Sequence, residues 1–527
     1  MSSARNFFPG QLEITANLLQ MLRKSVSRAF RIPFKQLPLI TFHALILSVI
    51  VAGFWLLDSL KDPVLARIIG IEYQPVAKVI SVLSTLVITC SYDFLTSRLK
   101  RTDLFHVVSF FFGISFMLIS ALLADPELGL GNRDEVGPHR LLGWIAYVLI
   151  EAYGSLMVAL FWSFTNSIMD LEEAKGAYGL IIAIAQLGAI TGSTLATHAR
   201  TIGIPQLFLF GALNVFSVSL LIKVYRICFR RSVDIEFGIY DAVAVAYEKV
   251  ATTDAGAAGA GAVSPQLAAP VPEGRSVLAG FSEGFMLLLR NKYMLMVFGV
   301  SCLYEIVVTI LDYQFKILAV HANSTKPDVI LSDGRAVGAG AGAGVYEDQF
   351  ANLLGHFGQA TNLFSFLVSF FGFSFLVHRI GVRFSLMIFP TVLFGAVVVT
   401  NLLPSLSVLF VCVSVIKALV FSLHDPVKEL LYIPTSIHMK FKAKAWIDVF
   451  GSRLAKAVGS AVSYLSYGDA KTLRAIAEVP CLLISLGVLS LAYLVGTEFE
   501  KLVENQPLAR ASARAEEKEK EKEGLRV

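Results

Sequence analysis

The stretch Gln186-Leu-Gly-Ala-Ile-Thr-Gly-Ser193 aligns without gaps on Arg453-Leu-Ala-Lys-Ala-Val-Gly-Ser460. Each copy lies in an apolar segment long enough to form a membrane helix. Upstream of the two copies, Ser163-Phe-Thr-Asn166 is similar to Ser422-Leu-His-Asp425, so the matches occur in the same order twice. This repeat predicts a chain built from two related halves.

Composition indicates that these halves lie in a membrane. Hydrophobic residues make up 55% of the 527 residues and charged residues 16%, whereas soluble domains have about 25% charged residues. The net charge of +5 is too small to indicate a nucleic-acid partner, and none is expected. The five cysteines are scattered, and no Cys/His cluster has metal-ligand spacing. The sequence therefore predicts no disulfide framework, metal or cofactor.

Twelve segments are long and apolar enough to span a bilayer, which takes about 20 residues. They are predicted at 37–57, 75–95, 104–124, 142–168, 177–199, 205–227, 292–316, 357–378, 383–403, 405–424, 445–467 and 474–495. Two parallel six-helix halves joined by a long loop form the architecture of the major facilitator superfamily, where substrate binds near mid-membrane between the halves. We therefore expect an all-α polytopic membrane protein with twelve transmembrane helices in two pseudo-symmetric six-helix bundles.

The basic residues predict the orientation, because cytoplasmic loops carry an excess of Lys and Arg. Such residues precede the first helix and follow the second, sixth, eighth and tenth, so both termini are predicted to be cytoplasmic. The loops 125–140, which is not basic in net terms, and 325–350, which contains the run Gly-Ala-Gly-Ala-Gly-Ala-Gly, should face outward. The predicted domains are an N-terminal segment with an amphipathic helix, the first bundle, a cytoplasmic linker, the second bundle and a charged cytoplasmic tail, at 1–36, 37–227, 228–291, 292–495 and 496–527.

Charged side chains inside the predicted spans or close to their ends are the candidate site residues, because an ionisable group in a membrane helix costs about 3 kcal/mol or more unless it pairs or lines a watery cavity. The candidates are Lys61, Glu151, Glu305, Asp312, Asp425, Lys428, Arg453 and Lys456. Arg453 and Lys456 are three residues apart on one helix face, and such cations suit a multiply charged anion. The alternative is that these groups, and with them Asp62 and Lys316, form interhelical salt bridges.

One motif resembles a known family. Asp425-Pro-Val-Lys428-Glu429-Leu-Leu-Tyr432-Ile433-Pro434, followed by Lys440-Phe-Lys442-Ala-Lys444-Ala-Trp-Ile447-Asp448-Val449, is similar to motifs of the nucleotide transporters typified by the ATP/ADP translocases of plastids and obligate intracellular bacteria. Looser matches in the first half are Lys61-Asp62, Glu151-Ala-Tyr-Gly154-Ser155 and Phe161-Trp162-Ser-Phe164-Thr-Asn166. The resemblance runs from about Phe42 to Val495.

The resemblance implies a secondary transporter, not an enzyme, that exchanges ATP for ADP by alternating access. It adds Asn166 to the candidates, and it matches Lys61, Glu151 and Lys456 to charged positions that the family needs for transport. The nucleotide phosphates would bind to Lys456 and Arg453 with help from Lys61 or Lys428. Proton-coupled nucleotide uptake and transport of another anionic solute are the alternatives.

The resemblance also implies a setting for the protein. We expect a monomer in a lipid bilayer, as a multi-pass protein of a bacterial inner membrane or, alternatively, of the plastid inner envelope.

The seventh helix departs from the family pattern, in which an acid stands in a Val-Glu-Val-Thr-Trp-Lys run. Here Glu305 and Asp312 lie seven residues apart and compete for the role of that acid. Asp312 is one turn from Lys316, which favours a structural pair, and Glu305 has no cation within one turn of its own helix. Our hypothesis is that Glu305 senses substrate or protons and that Asp312 has a structural role.

Overall fold

The computed structural model describes residues 36–84, 101–132, 136–166, 171–229, 288–324, 339–432 and 451–524, together with the single residues 286, 435 and 447. These residues form helices, turns and short connections, with no β-strand among them. The predicted amphipathic N-terminal helix, most of the linker and most of the motif at 440–449 lie outside the described residues.

In its described residues the first half contains, besides two helical turns of three and four residues, six main helices in chain order. They are α1 (Leu37–Ile68), α2 (from residue 74, described to 84), α3 (Arg101–Ala124), α4 (Leu141–Asn166), α5 (Leu171–Ala196) and α6 (Ile204–Cys228). Proline stands in the first turn of both α1 and α6, where its missing N–H would have no intrahelical partner in any case.

The second half begins with α7 (Lys292–Ser324), α8 (Ala339–Leu367) and a π-helical turn (Val368–Gly372). The following segment, Phe373–Leu402, is divided at Gly381, where φ is +83°, so its first residues continue α8 and residues 382–402 form α9. The remaining helices are α10 (Leu406–Leu430, with a π-helical turn at Val420–His424), α11 (Ser452–Tyr464) and α12 (Ala470–Gly524).

Four predicted boundaries are wrong. Helices α1 and α7 continue to Ile68 and Ser324 instead of ending at 57 and 316, because the charged residues near their ends are paired inside the protein. The Gly/Ala run expected in an external loop is helical from Ala339, although the glycines that alternate with alanine there have a low helix propensity. Helix α12 continues to Gly524.

Nine helices in the described ranges are long and apolar enough to cross a membrane, namely α1, α3, α4, α5, α6, α7, α9, α10 and α12. Helices α2, α8 and α11 complete the set of twelve. The count of twelve transmembrane helices stays a prediction, with which the described helices agree.

The packing repeats with an offset of six helices. Helix α1 packs on α4, α5 and α6, and its counterpart α7 packs on α10, α11 and α12. In the same way α3 packs on α6, and α9 packs on α12. Each half also has its own buried hydrophobic core. The duplication predicted from sequence is therefore present in the packing.

The repeated stretch itself makes the same contact in both halves. A Cβ atom on Gly192 would lie 2.0 Å from the Ala52 carbonyl oxygen of α1, and one on Gly459 would lie 2.8 Å from the Ile306 carbonyl oxygen of α7. Only glycine allows the backbones to approach this closely. The aligned glycines therefore permit the same close helix approach in both halves.

The two halves meet where α8 packs against α1 and α5. Gln359 donates from Nε2 to the Thr194 hydroxyl at 2.8 Å, and Asn352 donates to the Thr197 carbonyl oxygen. These contacts lie at the end of the bundle that carries the loop 125–140, which we call the 125–140 face. The structure is therefore closed between α5 and α8 at this face.

Candidate functional site

Two charged residues of α1, one turn apart, and one charged residue of α4 form the first part of the site. Lys61 donates to Asp58, one turn earlier, and to Glu151 Oε1 of α4 at 2.5 Å. Its ammonium also lies 5.3 Å from the centre of the Tyr147 ring. The Lys61 side chain is 6% exposed, so these partners neutralise a charge that has almost no access to water. We call Asp58, Lys61 and Glu151 the first cluster.

A second cluster joins the two halves. Lys316 of α7 lies 2.9 Å from Asp62 of α1 and 2.6 Å from Asp312, one turn earlier on its own helix. Asp312 also contacts Lys417 of α10. All these side chains except Lys417 are buried. The second cluster is therefore Asp62, Lys316, Asp312 and Lys417, and its Asp62–Lys316 pair connects α1 to α7.

The third cluster lies between α7 and α11. Glu305 accepts a hydrogen bond from the Ser452 hydroxyl at 3.1 Å and lies 3.3 Å from Lys456 Nζ. Lys456 is 38% exposed, so water or a ligand can reach its ammonium. This open, longer pair differs from the short buried pairs of the second cluster.

Two further cations, Lys78 of α2 and Arg453 of α11, lie close to these clusters. Both side chains are partly exposed. Lys78 is within electrostatic range of Glu151 and Asp312, and Arg453 is within range of Glu151. Within the described ranges neither cation has a carboxylate at salt-bridge distance.

The other sequence candidates lie on α4 and α10. Asp425 pairs with Lys428 of its own helix at 3.4 Å, in agreement with their one-turn spacing. Asn166 is the last residue of α4, and its side chain lies outside the described part of the structure.

The structure thus brings six of the nine candidates into the clusters or next to them: Lys61, Glu151, Glu305, Asp312, Arg453 and Lys456. The expected salt bridges of Lys61, Asp62 and Lys316 are also present. Sequence reasoning missed Lys78 and Lys417, although both lie in predicted apolar spans. A uniform search for charges inside the spans would have found both.

The pairs in the two halves have opposite polarity. In the first half α1 carries the cation Lys61 and α4 the acid Glu151, whereas in the second half α7 carries the acid Asp312 and α10 the cation Lys417. Because α7 is the counterpart of α1, the charges are reversed between the repeats.

The site as a whole combines six cations with five carboxylates. The cations are Lys61, Lys78, Lys316, Lys417, Arg453 and Lys456, and the carboxylates are Asp58, Asp62, Glu151, Glu305 and Asp312. An anion that entered could take the place of a carboxylate beside a cation, because phosphate and carboxylate oxygens accept the same hydrogen bonds. This arrangement can bind a multiply charged anion between the halves.

Comparisons with known proteins give the family context. A sequence model of the family described as TLC ATP/ADP transporter matches residues 143–330 and 345–495, which together make up more than half of the chain. The chain is 23% identical over 475 residues to ADP,ATP carrier protein 3 of Rickettsia conorii, covering 82% of this chain and 88% of that protein. It is 21% identical over 453 residues to ADP,ATP carrier protein 4 of Rickettsia typhi, covering 77% and 80%.

Solved structures show the fold. A POT family transporter in complex with 5-aminolevulinic acid matches with a TM-score of 0.52 at 11% identity, covering 86% of this chain and 96% of that chain. A bacterial homologue of the iron transporter ferroportin, in an inward-facing state, matches with a TM-score of 0.50 at 13% identity, covering 88% and 98%. Together with the repeated packing, these likenesses confirm the predicted all-α membrane fold of the major facilitator type.

Proposed function

The chain belongs to the TLC ATP/ADP transporter family, and we propose that it exchanges ATP for ADP across a membrane by alternating access. The observation that carries this proposal is the position of Arg453 and Lys456. They lie one turn apart on α11, Arg453 has no carboxylate partner among the described residues, and Lys456 has a loose one. Arginine can hold two phosphate oxygens at once, and lysine adds a compact charge.

We propose that the phosphates bind to Arg453 and Lys456, with Lys61 completing the site. Glu151 and Glu305 hold Lys61 and Lys456 in this structure. An entering phosphate competes with these two carboxylates, and the pairs form again when it leaves. Lys428 is the alternative third cation, which the site would use if the polyphosphate extended along α10.

Substrate competition of this kind explains exchange. Without a substrate, the internal salt bridges hold the helices in place and oppose the conformational change. A bound nucleotide takes the place of the carboxylates and releases the helices that carry them. The protonation of Glu305 would provide the same release without a second nucleotide, which is the basis of the proton-coupled alternative.

The protein is a multi-pass membrane protein, and its Rickettsia relatives place the family in bacteria. We propose the inner membrane as its location, with both termini cytoplasmic and the 125–140 face outside. We propose that it functions as a monomer, with each chain containing one complete site between its own halves. The domains are then those predicted from the basic loops, with 228–291 as the linker.

Proteoliposomes test the function. Purified protein is reconstituted with or without internal ADP, and uptake of labelled ATP is measured, with liposomes that lack protein as the control. Exchange requires uptake that depends on internal ADP and leaves the ATP intact, since no hydrolysis is part of the proposal. Uptake that depends on a pH gradient instead would favour proton coupling, and uptake of only other anions would overturn the nucleotide proposal.

A further inference from the structure

Lys78 is a surplus cation in the site. Each carboxylate within its electrostatic range already has a partner at short distance: Glu151 is held by Lys61 at 2.5 Å, and Asp312 by Lys316 at 2.6 Å and by Lys417. Within the described ranges, Lys78 therefore has no carboxylate of its own at salt-bridge distance. A lysine without a counter-ion inside a membrane bundle costs free energy, and this cost is offset when an anion binds beside it.

The position of Lys78 indicates which part of an anion it would meet. Lys78 is four residues from position 74, where α2 begins near the 125–140 face. The halves are closed between α5 and α8 at this face, so a ligand that enters from the opposite face reaches Lys78 last. The leading end of an elongated ligand is thus the part that lies nearest to Lys78.

Lys78 also lies in the same neighbourhood as the two cations of α11. Glu151 is within electrostatic range of Lys78, Lys456 and Arg453, so one carboxylate interacts with all three cations. They come from both halves, α2 in the first and α11 in the second. One polyphosphate bound at the position of the Glu151 carboxylate could contact all three cations.

We propose that Lys78 binds the terminal phosphate of a nucleoside triphosphate and sets the preference for ATP over ADP. This inference rests on the proposed nucleotide transport and extends it to the number of phosphates. Lysine interacts as a point charge, so its contribution grows with the charge of the group beside it. A triphosphate reaches Lys78 with its last phosphate, whereas a diphosphate is one phosphate shorter and leaves the ammonium without a direct contact.

Binding to purified protein tests the proposal. We expect Lys78→Gln to weaken ATP binding by about 30-fold or more, as is typical for the loss of a charged contact that the bound partner shields from water, and to weaken ADP binding only a few-fold. Lys78→Arg should restore most of the ATP affinity. The control is Lys223→Gln, which removes an exposed lysine of α6 and should leave both affinities unchanged. Equal losses for ATP, ADP and AMP, or no loss, would overturn the proposal.

Thermal unfolding separates a ligand-binding lysine from a structural one. If Lys78 is a surplus charge, Lys78→Met should keep or raise the melting temperature without ligand, whereas removing a lysine from a buried salt bridge lowers it. The same variant should show a smaller rise in melting temperature with ATP, since stabilisation by a ligand follows its affinity. A lower melting temperature of the ligand-free variant would assign Lys78 to the structure.

Inorganic polyphosphates distinguish the two proposals. Tripolyphosphate and pyrophosphate carry the phosphate chain without a base, and wild-type protein should bind the first more tightly, in a manner that depends on Lys78. If the wild type bound tripolyphosphate through Lys78 but bound no nucleotide, the nucleotide function would fail while the anion site stood. If it bound ATP and Lys78→Gln kept the full ATP preference, the function would stand and the role of Lys78 would fail.

Discussion

At the residue scale, the side chain that most directly tests the site is Lys456. Its side chain is 38% exposed, and among the described residues its ammonium pairs with Glu305 alone, at 3.3 Å. We predict that Lys456→Ala lowers ATP affinity by about 30-fold or more, whereas Lys456→Arg keeps part of it because the charge remains. Equilibrium binding to purified protein, with unfolding temperature as the control for folding, measures both. Unchanged ATP affinity in a folded Lys456→Ala variant would contradict the assignment.

The two acids of α7, Asp312 and Glu305, are predicted to contribute differently to the stability of the protein. Asp312 is buried and contacts both Lys316 and Lys417, so Asp312→Asn leaves a buried cation short of a partner and should destabilise the protein by about 3 kcal/mol or more. Glu305 faces a partly exposed lysine and a hydroxyl, so Glu305→Gln should change stability little.

Transport by the same two variants completes this comparison. Glu305→Gln should alter the pH dependence of exchange or its need for internal nucleotide, because the carboxylate that competes with substrate is gone. Asp312→Asn, once reconstituted in folded form, should retain the wild-type pH profile. The reverse result over pH 5–8, normal exchange by Glu305→Gln and a changed profile for Asp312→Asn, would mean that the two roles are exchanged.

The sequence predicted which charged residues belong to the site better than it predicted which of them form pairs. The rule that charges are costly in membrane helices selected Glu151 and Asp312, and the same rule applied to every span would have included Lys78 and Lys417. It could not predict that Asp62 pairs with Lys316, since those residues are 254 positions apart and meet only when the halves pack. The local pair Asp312–Lys316 was predictable because one turn of helix brings the two side chains together.

At the scale of elements, the contact between α5 and α8 closes one face of the bundle. Gln359 bonds to Thr194 across it at 2.8 Å, and a Cβ on Gly355 would lie only 2.8 Å from the Thr197 backbone nitrogen. Alternating access requires this contact to open in each cycle. We predict that joining positions 194 and 359, each changed to cysteine, with a short reducible cross-linker abolishes exchange and that reduction restores it.

A matched cross-link within one half provides the control. Asp103 of α3 and Arg226 of α6 pair at 3.2 Å inside the first half, which should move as one body. Cysteines at these two positions, treated with the same reagent in a background without native cysteines, should leave exchange intact. Exchange that continued with 194 and 359 fully cross-linked would show that this face does not open during transport.

Helix existence was easier to predict from sequence than helix length. By hydropathy, the apolar run of α1 ends at 57, because Asp58, Lys61 and Asp62 follow. In the structure these charges pair with one another and with residues of α4 and α7, so the helix continues to Ile68. Hydropathy measures transfer of single residues and contains no information on such partners. The same limitation explains the short prediction for α7, where Lys316 is neutralised by Asp62 and Asp312.

At the scale of the whole molecule, orientation in the membrane is the remaining prediction. The basic loops place both termini in the cytoplasm, so Leu128→Cys, at an exposed position of the 125–140 loop, should react with a membrane-impermeant reagent in intact cells. Ala260→Cys in the linker should react only after the cells are opened. Labelling of position 260 but not 128 in intact cells would reverse the predicted orientation.

The duplication is the feature of the whole molecule that sequence predicted best. Gly192 and Gly459 align in the two repeats and make the same close approach to α1 and α7, because a backbone contact needs the same residue in both copies. The charged contacts do not repeat in this way, and the opposite polarity of Lys61–Glu151 and Asp312–Lys417 was not visible in the aligned stretch.

The ion pair between Asp62 and Lys316 has a consequence for how the two halves of the chain recognise each other. Two copies of the first half, related by a twofold axis, would bring Asp62 towards its own duplicate, and two copies of the second half would do the same with Lys316. In the native chain these two residues attract each other at 2.9 Å. Like charges meeting in such a buried place are strongly unfavourable. The ion pair therefore favours contact between a first half and a second half. It disfavours contact between two first halves or two second halves of neighbouring chains during assembly.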